Sequence, residues 1–503
     1  MAQQVQVLVI GGGFSGIGLG HALLNSNFTD FVILERAPDV GGVWHANTYP
    51  GCRCDVPSHL YSFSFAPNPD WSATYSPQAE IHAYLRRCVD RFGLRPHLRT
   101  GVEVEAARWN EDDQLWHVTT SEGPWTARIL VSAVGPLTEP KLPDVRGIDR
   151  FRGTIMHSAR WNHDHDLTGE RVASIGTGAS AIQYVPEIAD RTGQLYVFQR
   201  SAPWITPHDN RPITDAERAR FRARPGLQRI ERAKAYVAKE MLVLGFAKQP
   251  RLMRLLEAVS RKHLERQVTD PVLRRALTPD FTLGCKRIVP SNRWYPALQK
   301  PNVELVPWAL REIREHSVID SDGVEREVDT VIFGTGFHVT DTPIADKVRG
   351  RDGELLSDAW AGSPRAYLGM SMPGFPNFFM FLGPNSGLGH SSMVYMIEAQ
   401  VQHVKNAIRA LDLSDATSIE VDRRAHDAYN ARLDRKLATT VWETGGCRTF
   451  YQDANGRNAT IYPDWTFSYR RQAVRWKPDA YHLTTRPTSA DHETAKATTL
   501  DAS

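Results

Sequence analysis

Hydrophobic positions along this chain fall into two repeating patterns. Val5-Gln6-Val7-Leu8-Val9-Ile10 is a short apolar run that predicts a buried parallel strand, and Phe31-Val32-Ile33-Leu34 predicts another. Residues 14 to about 26, between them, have helical spacing. The strand–helix–strand order returns with Arg171-Val172-Ala173-Ser174-Ile175, a helix after Ala179, and Leu195-Tyr196-Val197-Phe198. Buried strands are also expected at 129–134 and at Thr330-Val331-Ile332-Phe333. Pro136, Pro140 and Pro143 follow the first of these and mark a crossing between domains, and Gly334-Thr335-Gly336-Phe337 marks a return. Residues 212–282 differ: segments 230–243 and 251–268 are helical in period and rich in Arg and Lys, which predicts a helical insertion.

Each strand–helix unit carries a glycine loop at its joint. Gly11-Gly12-Gly13-Phe14-Ser15-Gly16 matches G-x-G-x-x-G, the pattern in which the first glycine makes the turn, the second admits a pyrophosphate to the backbone and the third lets the helix pack closely. The phosphates of such a ligand sit on unpaired N–H groups at the positive end of the helix. Glu35 closes the following strand, where a carboxylate accepts the hydroxyls of an adenosine ribose. The second loop is Gly176-Thr177-Gly178-Ala179-Ser180-Ala181. Gly11 to Glu35 is 24 positions and Gly176 to Arg200 is also 24, so an arginine, followed by Ser201, stands where the first unit has its acid. A carboxylate repels a 2′-phosphate, whereas a guanidinium grips one; the plain alternative for Arg200 is a solvated charge at a strand end. Two different dinucleotides without a metal-ligand cluster point to a flavoprotein that takes hydride from NADPH, with FAD in the first unit and NADPH in the second. Gly41-Gly42-Val43-Trp44 suits the approach of a flat cofactor, although such a tetrad also makes an ordinary turn.

Composition narrows the remaining classes. The chain has 503 residues, 41% of them apolar, and 60 basic against 57 acidic residues, so its formal charge of +3 lacks the bias of a nucleic-acid binder. No apolar run approaches the roughly 20 residues of a membrane span. The basic helical segments carry Glu231, Glu240, Glu257 and Glu265 among their arginines, which favours a solvated face over a membrane surface. Five cysteines, Cys52, Cys54, Cys88, Cys285 and Cys447, are too few for a secreted disulfide scaffold and read as a reducing, cytoplasmic setting. A strand and glycine loop begin within the first dozen residues, so no leader is expected.

Phe151-Arg152-Gly153-Thr154-Ile155-Met156-His157-Ser158-Ala159-Arg160-Trp161, between the two units, resembles the F-x-G-x-x-x-H-x-x-x-W fingerprint of the Baeyer–Villiger monooxygenases, a branch of the class B flavin monooxygenases. Asn162 follows where the family has Pro or Asp, a departure that bears on ketone against heteroatom oxidation. Tyr49-Pro50-Gly51-Cys52-Arg53-Cys54-Asp55, Tyr61-Ser62-Phe63-Ser64-Phe65, Gly284-Cys285-Lys286-Arg287, and the stretch from Gly383 to Ser392 are similar to further family blocks. The resemblance implies tightly held FAD, NADPH, and O2 as co-substrate, with a ketone converted to an ester or lactone by way of a C4a-peroxyflavin. It places Arg287 beside the flavin, Asp55 as the carboxylate that positions it, Tyr61 at the cofactor, and Lys286 near the NADP phosphate. Phe151, Gly153, His157 and Trp161 fall on fingerprint positions that couple domain movement to catalysis. An arginine stays protonated at any working pH and stabilises a peroxide anion and then an oxyanion; an ordinary interdomain ion pair is the alternative for Arg287 and Asp55.

The expected architecture is therefore α/β, with two Rossmann-like dinucleotide-binding domains and a helical insertion. Residues 1–145 and 343–480 form the FAD domain, 146–211 and 283–342 the NADPH domain, 212–282 the insertion, and 481–503 a disordered tail. His163-Asp164-His165-Asp166 holds ligand-type residues but is expected to be solvated, with no metal site, and Cys52 and Cys54 are too close for an unstrained bridge. His390 reads as a helix-start residue near the pocket. The competing activities are S- or N-oxygenation, NADPH oxidation without oxygen transfer, and a non-catalytic FAD-binding scaffold. A ketone and O2 are the only partners expected, with no nucleic acid, membrane or partner protein.

Overall fold

The computed structural model describes residues 2–485. Its first sheet begins with β1 (Gln3–Ile10), which passes from exposed glutamines into fully buried Val7, Leu8 and Val9 and delivers the chain to the first glycine loop. Helix α1 (Phe14–Leu24) leads back to β2 (Phe31–Glu35), every residue of which is buried. Such two-sided burial is what an unbroken apolar run demands of a parallel strand. A short helix α2 (Val43–Ala46) and the longer α3 (Gln78–Arg91) precede β3 (Leu98–Thr100). An antiparallel ribbon of β4 (Val104–Asn110), β5 (Leu115–Thr120) and β6 (Gly123–Ser132) completes this run, and β6 returns parallel to β1.

The chain then leaves the sheet. Strands β7 (Thr154–His157), β8 (Arg171–Ile175) and β9 (Gln194–Phe198), with helix α4 (Ala179–Ile188) between the last two, join strands 303–306 and 330–333 in a five-stranded parallel sheet. Its order is 303–306, β9, β8, 330–333, β7. The chain comes back to the first sheet when strand 348–349 pairs with β4 and strand 378–380 pairs with β6, making eight strands there. Two parallel-sheet units, one placed within the sequence of the other, form the frame.

Helices Asp215–Ala223, Pro225–Glu240, Met253–Gln267 and Pro271–Ala276 occupy the basic region. Thr214 starts the first of them with a reciprocal capping box to Glu217. A π-helical turn, Leu244–Lys248, separates the second helix from the third.

The expected disordered tail needs correction at its start. Tyr481–Thr484 is a strand antiparallel to Ser418–Val421, and the remainder of the proposed tail, from residue 486, lies outside the described residues. Polar composition misled here because the anchoring comes from backbone pairing to a distant strand and from the one buried side chain, Tyr481. Its ring is 92% removed from solvent and stacks on Trp476, and its hydroxyl lies 2.7 Å from His403 Nε2. We expect Tyr481→Ala to cost about 3–5 kcal/mol, the range for loss of a buried aromatic ring, seen as a lower thermal midpoint. An unchanged midpoint would show that this strand contributes nothing to the fold.

Candidate functional site

The first glycine loop is shaped by contacts that exclude side chains. Gly11 has φ +111°, and a Cβ there would stand 2.7 Å from the Ala133 carbonyl oxygen; one on Gly16 would stand 2.0 Å from the Gly11 oxygen. Gly13 faces Gly42 across the loop, with a would-be Cβ 3.7 Å from the Gly42 Cα, so two bare backbones line one groove. Helix α1 has Gly13 at its N-cap and no side-chain cap. Its first N–H groups are thus left for an anion, the condition a pyrophosphate requires. Phe14 and Ser15 are buried in its opening turn.

Glu35 does more than its expected role. Its Oε2 accepts the Gly12 N–H at 2.7 Å and its Oε1 accepts the Ala37 N–H at 2.9 Å. The carboxylate therefore braces the loop, and each oxygen keeps a further lone pair for a ribose hydroxyl.

The second loop repeats this construction. Gly176 has φ +105° against the Gly334 carbonyl, and α4 begins at Ala179 with Gly178 as an uncapped N-cap. The Thr177 hydroxyl donates to the Ser201 carbonyl at 3.4 Å. Arg200 is exposed beyond the end of β9, and Lys286 Nζ donates to Ser201 Oγ at 2.7 Å. Burial, and then the neighbouring Arg200 charge, lower the pKa of Lys286. Two crowded cations with only partial neutralisation suit a phosphate.

Asp55 and Arg287, 232 positions apart, form an ion pair. Arg287 Nε donates to Asp55 Oδ2 at 2.9 Å, and Nη2 lies 2.7 Å from Oδ1 and 2.6 Å from Oδ2. Burial pushes the Asp55 carboxyl up, but the Arg287 guanidinium outweighs it and holds the group below the usual carboxylate range. Asp55 in turn raises the pKa of Arg287, which stays charged. The Arg287 side chain keeps 38% of its surface accessible, so the pair is open on one side. Nη1 has no hydrogen-bond partner among the described residues, because the fork to Asp55 uses Nε and Nη2.

The aromatic residues link this pair to the first loop. Phe14 meets Tyr61 edge to face at 5.3 Å, and the Trp44 indole N–H donates to the Tyr61 hydroxyl at 3.1 Å. Val43 lies beside Trp44 at the start of α2. In the fingerprint, Phe151 packs on the core of the second sheet, and a Cβ on Gly153 would stand 2.1 Å from the Asp329 carbonyl. Trp161 lies against Tyr184 of α4 at 5.4 Å. His157 Nδ1 accepts the Ala159 N–H at 3.1 Å, and burial pushes its pKa down to about 4, so the ring is neutral.

Three features escaped the sequence reading. Gln183 on α4 accepts from the Tyr49 hydroxyl at 3.0 Å and from the Arg53 N–H at 3.2 Å, and donates to the Arg53 carbonyl at 3.1 Å, fastening the second unit to the first. Tyr451 is buried where its phenol feels both Arg287 and Asp55. Cys285 and Cys447 form a disulfide with Cα atoms 6.1 Å apart, which corrects the reading of the cysteines as reduced; only Cys52, Cys54 and Cys88 are free, and all are buried. No spacing signal announces a pair 162 residues apart. His163 and His165 are engaged with Thr48 and with Glu170 and Thr330, and no metal-type cluster occurs among the described residues. Both ring nitrogens of His390 are buried, 3.6 Å from Glu240 at the closest approach.

Comparison with known proteins places this geometry in context. Residues 8–237 match the family model described as pyridine nucleotide-disulphide oxidoreductase. A Baeyer–Villiger monooxygenase of Streptomyces coelicolor is 48% identical over 94% of this chain and 91% of its own length. A Baeyer–Villiger monooxygenase of Pseudomonas aeruginosa is 43% identical over 97% of this chain and 93% of its own. Among solved structures, a steroid monooxygenase bound to NADP is 32% identical with a TM-score of 0.84, covering 96% of this chain and all of that one. The OTEMO complex with FAD and NADP is 28% identical with a TM-score of 0.85 over 96% of this chain and all of that one.

His157 also makes a pH prediction. Its pKa is about 6.5 in the unfolded chain and about 4 in the fold. Below the first value the unfolded state binds a proton that the folded state refuses, so stability is lost as pH falls from 6.5 toward 4. The thermal midpoint should drop over that window, and less so in His157→Gln. An identical pH dependence in the variant would remove His157 from the account.

Proposed function

Because the chain belongs to the Baeyer–Villiger monooxygenases, we propose that it holds FAD on the first glycine loop and NADPH on the second, and uses O2 to insert one oxygen atom beside a ketone carbonyl, giving an ester or lactone. FAD, when bound, supplies the two-electron link between NADPH and O2. The groove of Gly11, Gly13, Gly16 and Gly42 fits its pyrophosphate, with Glu35 at the ribose. Gly176, Gly178, Ser180, Arg200, Ser201 and Lys286 bind NADPH, the two cations taking the 2′-phosphate.

The observation that carries the oxygenase reading is the fork between Arg287 and Asp55. Asp55 fixes the guanidinium plane and keeps it charged. The free Nη1 is left to donate toward the oxygen on which negative charge develops during attack at the carbonyl. A donor that is already oriented stabilises this charge without reorganisation, which is where such sites gain most of their rate. Trp44 and Tyr61, which share a hydrogen bond and meet edge to face at 5.5 Å, are assigned to the cofactor's surroundings beside the first loop. Phe151 and Gly153 precede β7, His157 ends it and Trp161 follows it, and we assign these four residues to the coupling of domain movement with the reaction.

We place the enzyme in the cytoplasm, acting on a small-molecule ketone without nucleic acid, membrane or protein partner. The near-balanced charge argues against a nucleic-acid partner, and no helix among the described residues is long and apolar enough to cross a membrane.

Arg287→Ala should retain FAD and its anaerobic reduction by NADPH, followed by bleaching of the flavin band. Ester or lactone formation should fall by about a hundredfold or more; normal product formation would overturn the assignment. Arg200→Ala should weaken NADPH binding about tenfold or more, the worth of a charged hydrogen bond, and leave NADH binding unchanged. Equal losses for both nucleotides would exclude a 2′-phosphate contact.

A further inference from the structure

Cys285 stands two residues before Arg287 and one before Lys286, and Cys447 stands four residues before Tyr451. Their bridge therefore joins the segment that carries the open guanidinium to the segment that carries a buried phenol within reach of its charge. The two segments run very close together. The Thr282 N–H donates to the Gly445 carbonyl at 2.9 Å, and a Cβ on Gly445 would stand 2.6 Å from the Cys285 Cβ. Neither 282–288 nor 445–451 has extended secondary structure of its own to hold it, apart from the short pairing of Val289–Pro290 that follows the first. Cys285, Leu283, Tyr451, Trp442 and Phe246 share one buried cluster. Arg287 is thus held on one side by Asp55 and on the other by the bridge behind it.

The two sulfur-bearing residues differ in access: Cys285 is fully buried, whereas Cys447 is partly exposed. We propose that the Cys285–Cys447 bridge is a reducible positioning element that keeps Arg287 and Tyr451 in register for oxygen transfer, an inference that rests on the role given to Arg287 above. A dithiol opens it from the Cys447 side. One thiolate of the reductant attacks the Cys447 sulfur, the S–S bond breaks, and Cys285 leaves with the electron pair and takes up a proton. The second thiol of the reductant then displaces Cys447. The reductant loses two electrons and two protons to become a disulfide, and the protein gains both as two thiols. With the bridge open, Arg287 keeps Asp55 but loses its second anchor, and Tyr451 is free to shift with the 445–451 segment. Flavin reduction by NADPH depends on neither and continues, so electrons reach O2 without oxygen reaching the ketone.

The test uses the FAD-loaded enzyme, before and after incubation with dithiothreitol, beside Cys447→Ser and Cys285→Ser. Alkylation and mass spectrometry report the state of the bridge. The readouts are product formed per NADPH consumed, hydrogen peroxide released, and the anaerobic rate of flavin reduction. Opening the bridge should raise peroxide release per NADPH several-fold, with the reduction rate and FAD content within about twofold of the starting enzyme. Oxidised dithiothreitol should restore coupling to the wild type, and the serine variants should be uncoupled already and insensitive to dithiothreitol. Unchanged coupling in dithiothreitol-opened enzyme would overturn the proposal, and so would free thiols at both positions after oxidant treatment. Should a serine variant fail to fold, the dithiothreitol titration of the wild type decides alone. If Arg287→Ala still makes product, the role of Arg287 fails; if it does not and the opened enzyme stays coupled, only the bridge proposal fails.

Discussion

The ion pair between Arg287 and Asp55 is the constraint on which the arrangement of the two units turns. It joins residues 232 positions apart, one from the loop region after the first glycine unit and the other from the far end of the helical insertion. Two partly desolvated charges this close hold together only with good geometry, and removing one leaves the other without its counter-charge. The fork between Arg287 and Asp55 has that geometry. The Arg287 side chain keeps 38% of its surface accessible, so the pair avoids part of the desolvation cost that full burial would impose. The same contact that closes the units on each other leaves a fixed positive group open on one side.

Other contacts across the boundary reinforce this one without charge. Gln183 on α4 takes both a donor and an acceptor from the Arg53 backbone, two residues from Asp55, so the loop that presents the carboxylate is held at a second point. Tyr184, its neighbour, spreads contact in two directions, toward Tyr49 at 6.1 Å and Trp161 at 5.4 Å. Helix α4 therefore serves two tasks at once. Its N-terminus is open toward an anion, and its side chains carry the position of that end to the fingerprint connection and to the first unit.

The two glycine loops follow one rule with different outcomes at the strand end. Gly11 and Gly176 each have a φ near +110° beneath a carbonyl from a neighbouring strand, so the turn is inaccessible to other residues. At the adjoining strand end the first unit has Glu35, bonded to the loop itself, and the second has Arg200 in solvent near Lys286. The acid is thus part of the scaffold of the loop.

Local sequence determined the parts whose physics is local. The bounds of β8 and strand 330–333 and the buried parts of β1 and β2 follow from apolar runs, the turns from glycines, and the helical character of the insertion from its period. The place of Asp55 and Arg287 at one site came through resemblance to a family, because no periodicity relates residues so far apart. Tertiary structure alone decided the pairing of Cys285 with Cys447, the seat of Tyr451, the hold of Gln183 on Arg53, and the anchoring of Tyr481. Each of these depends on two segments meeting after both sheets have formed. Side-chain chemistry at one position carries no record of which distant backbone will arrive beside it, so composition read Tyr481 as the start of a loose tail and the cysteines as isolated thiols.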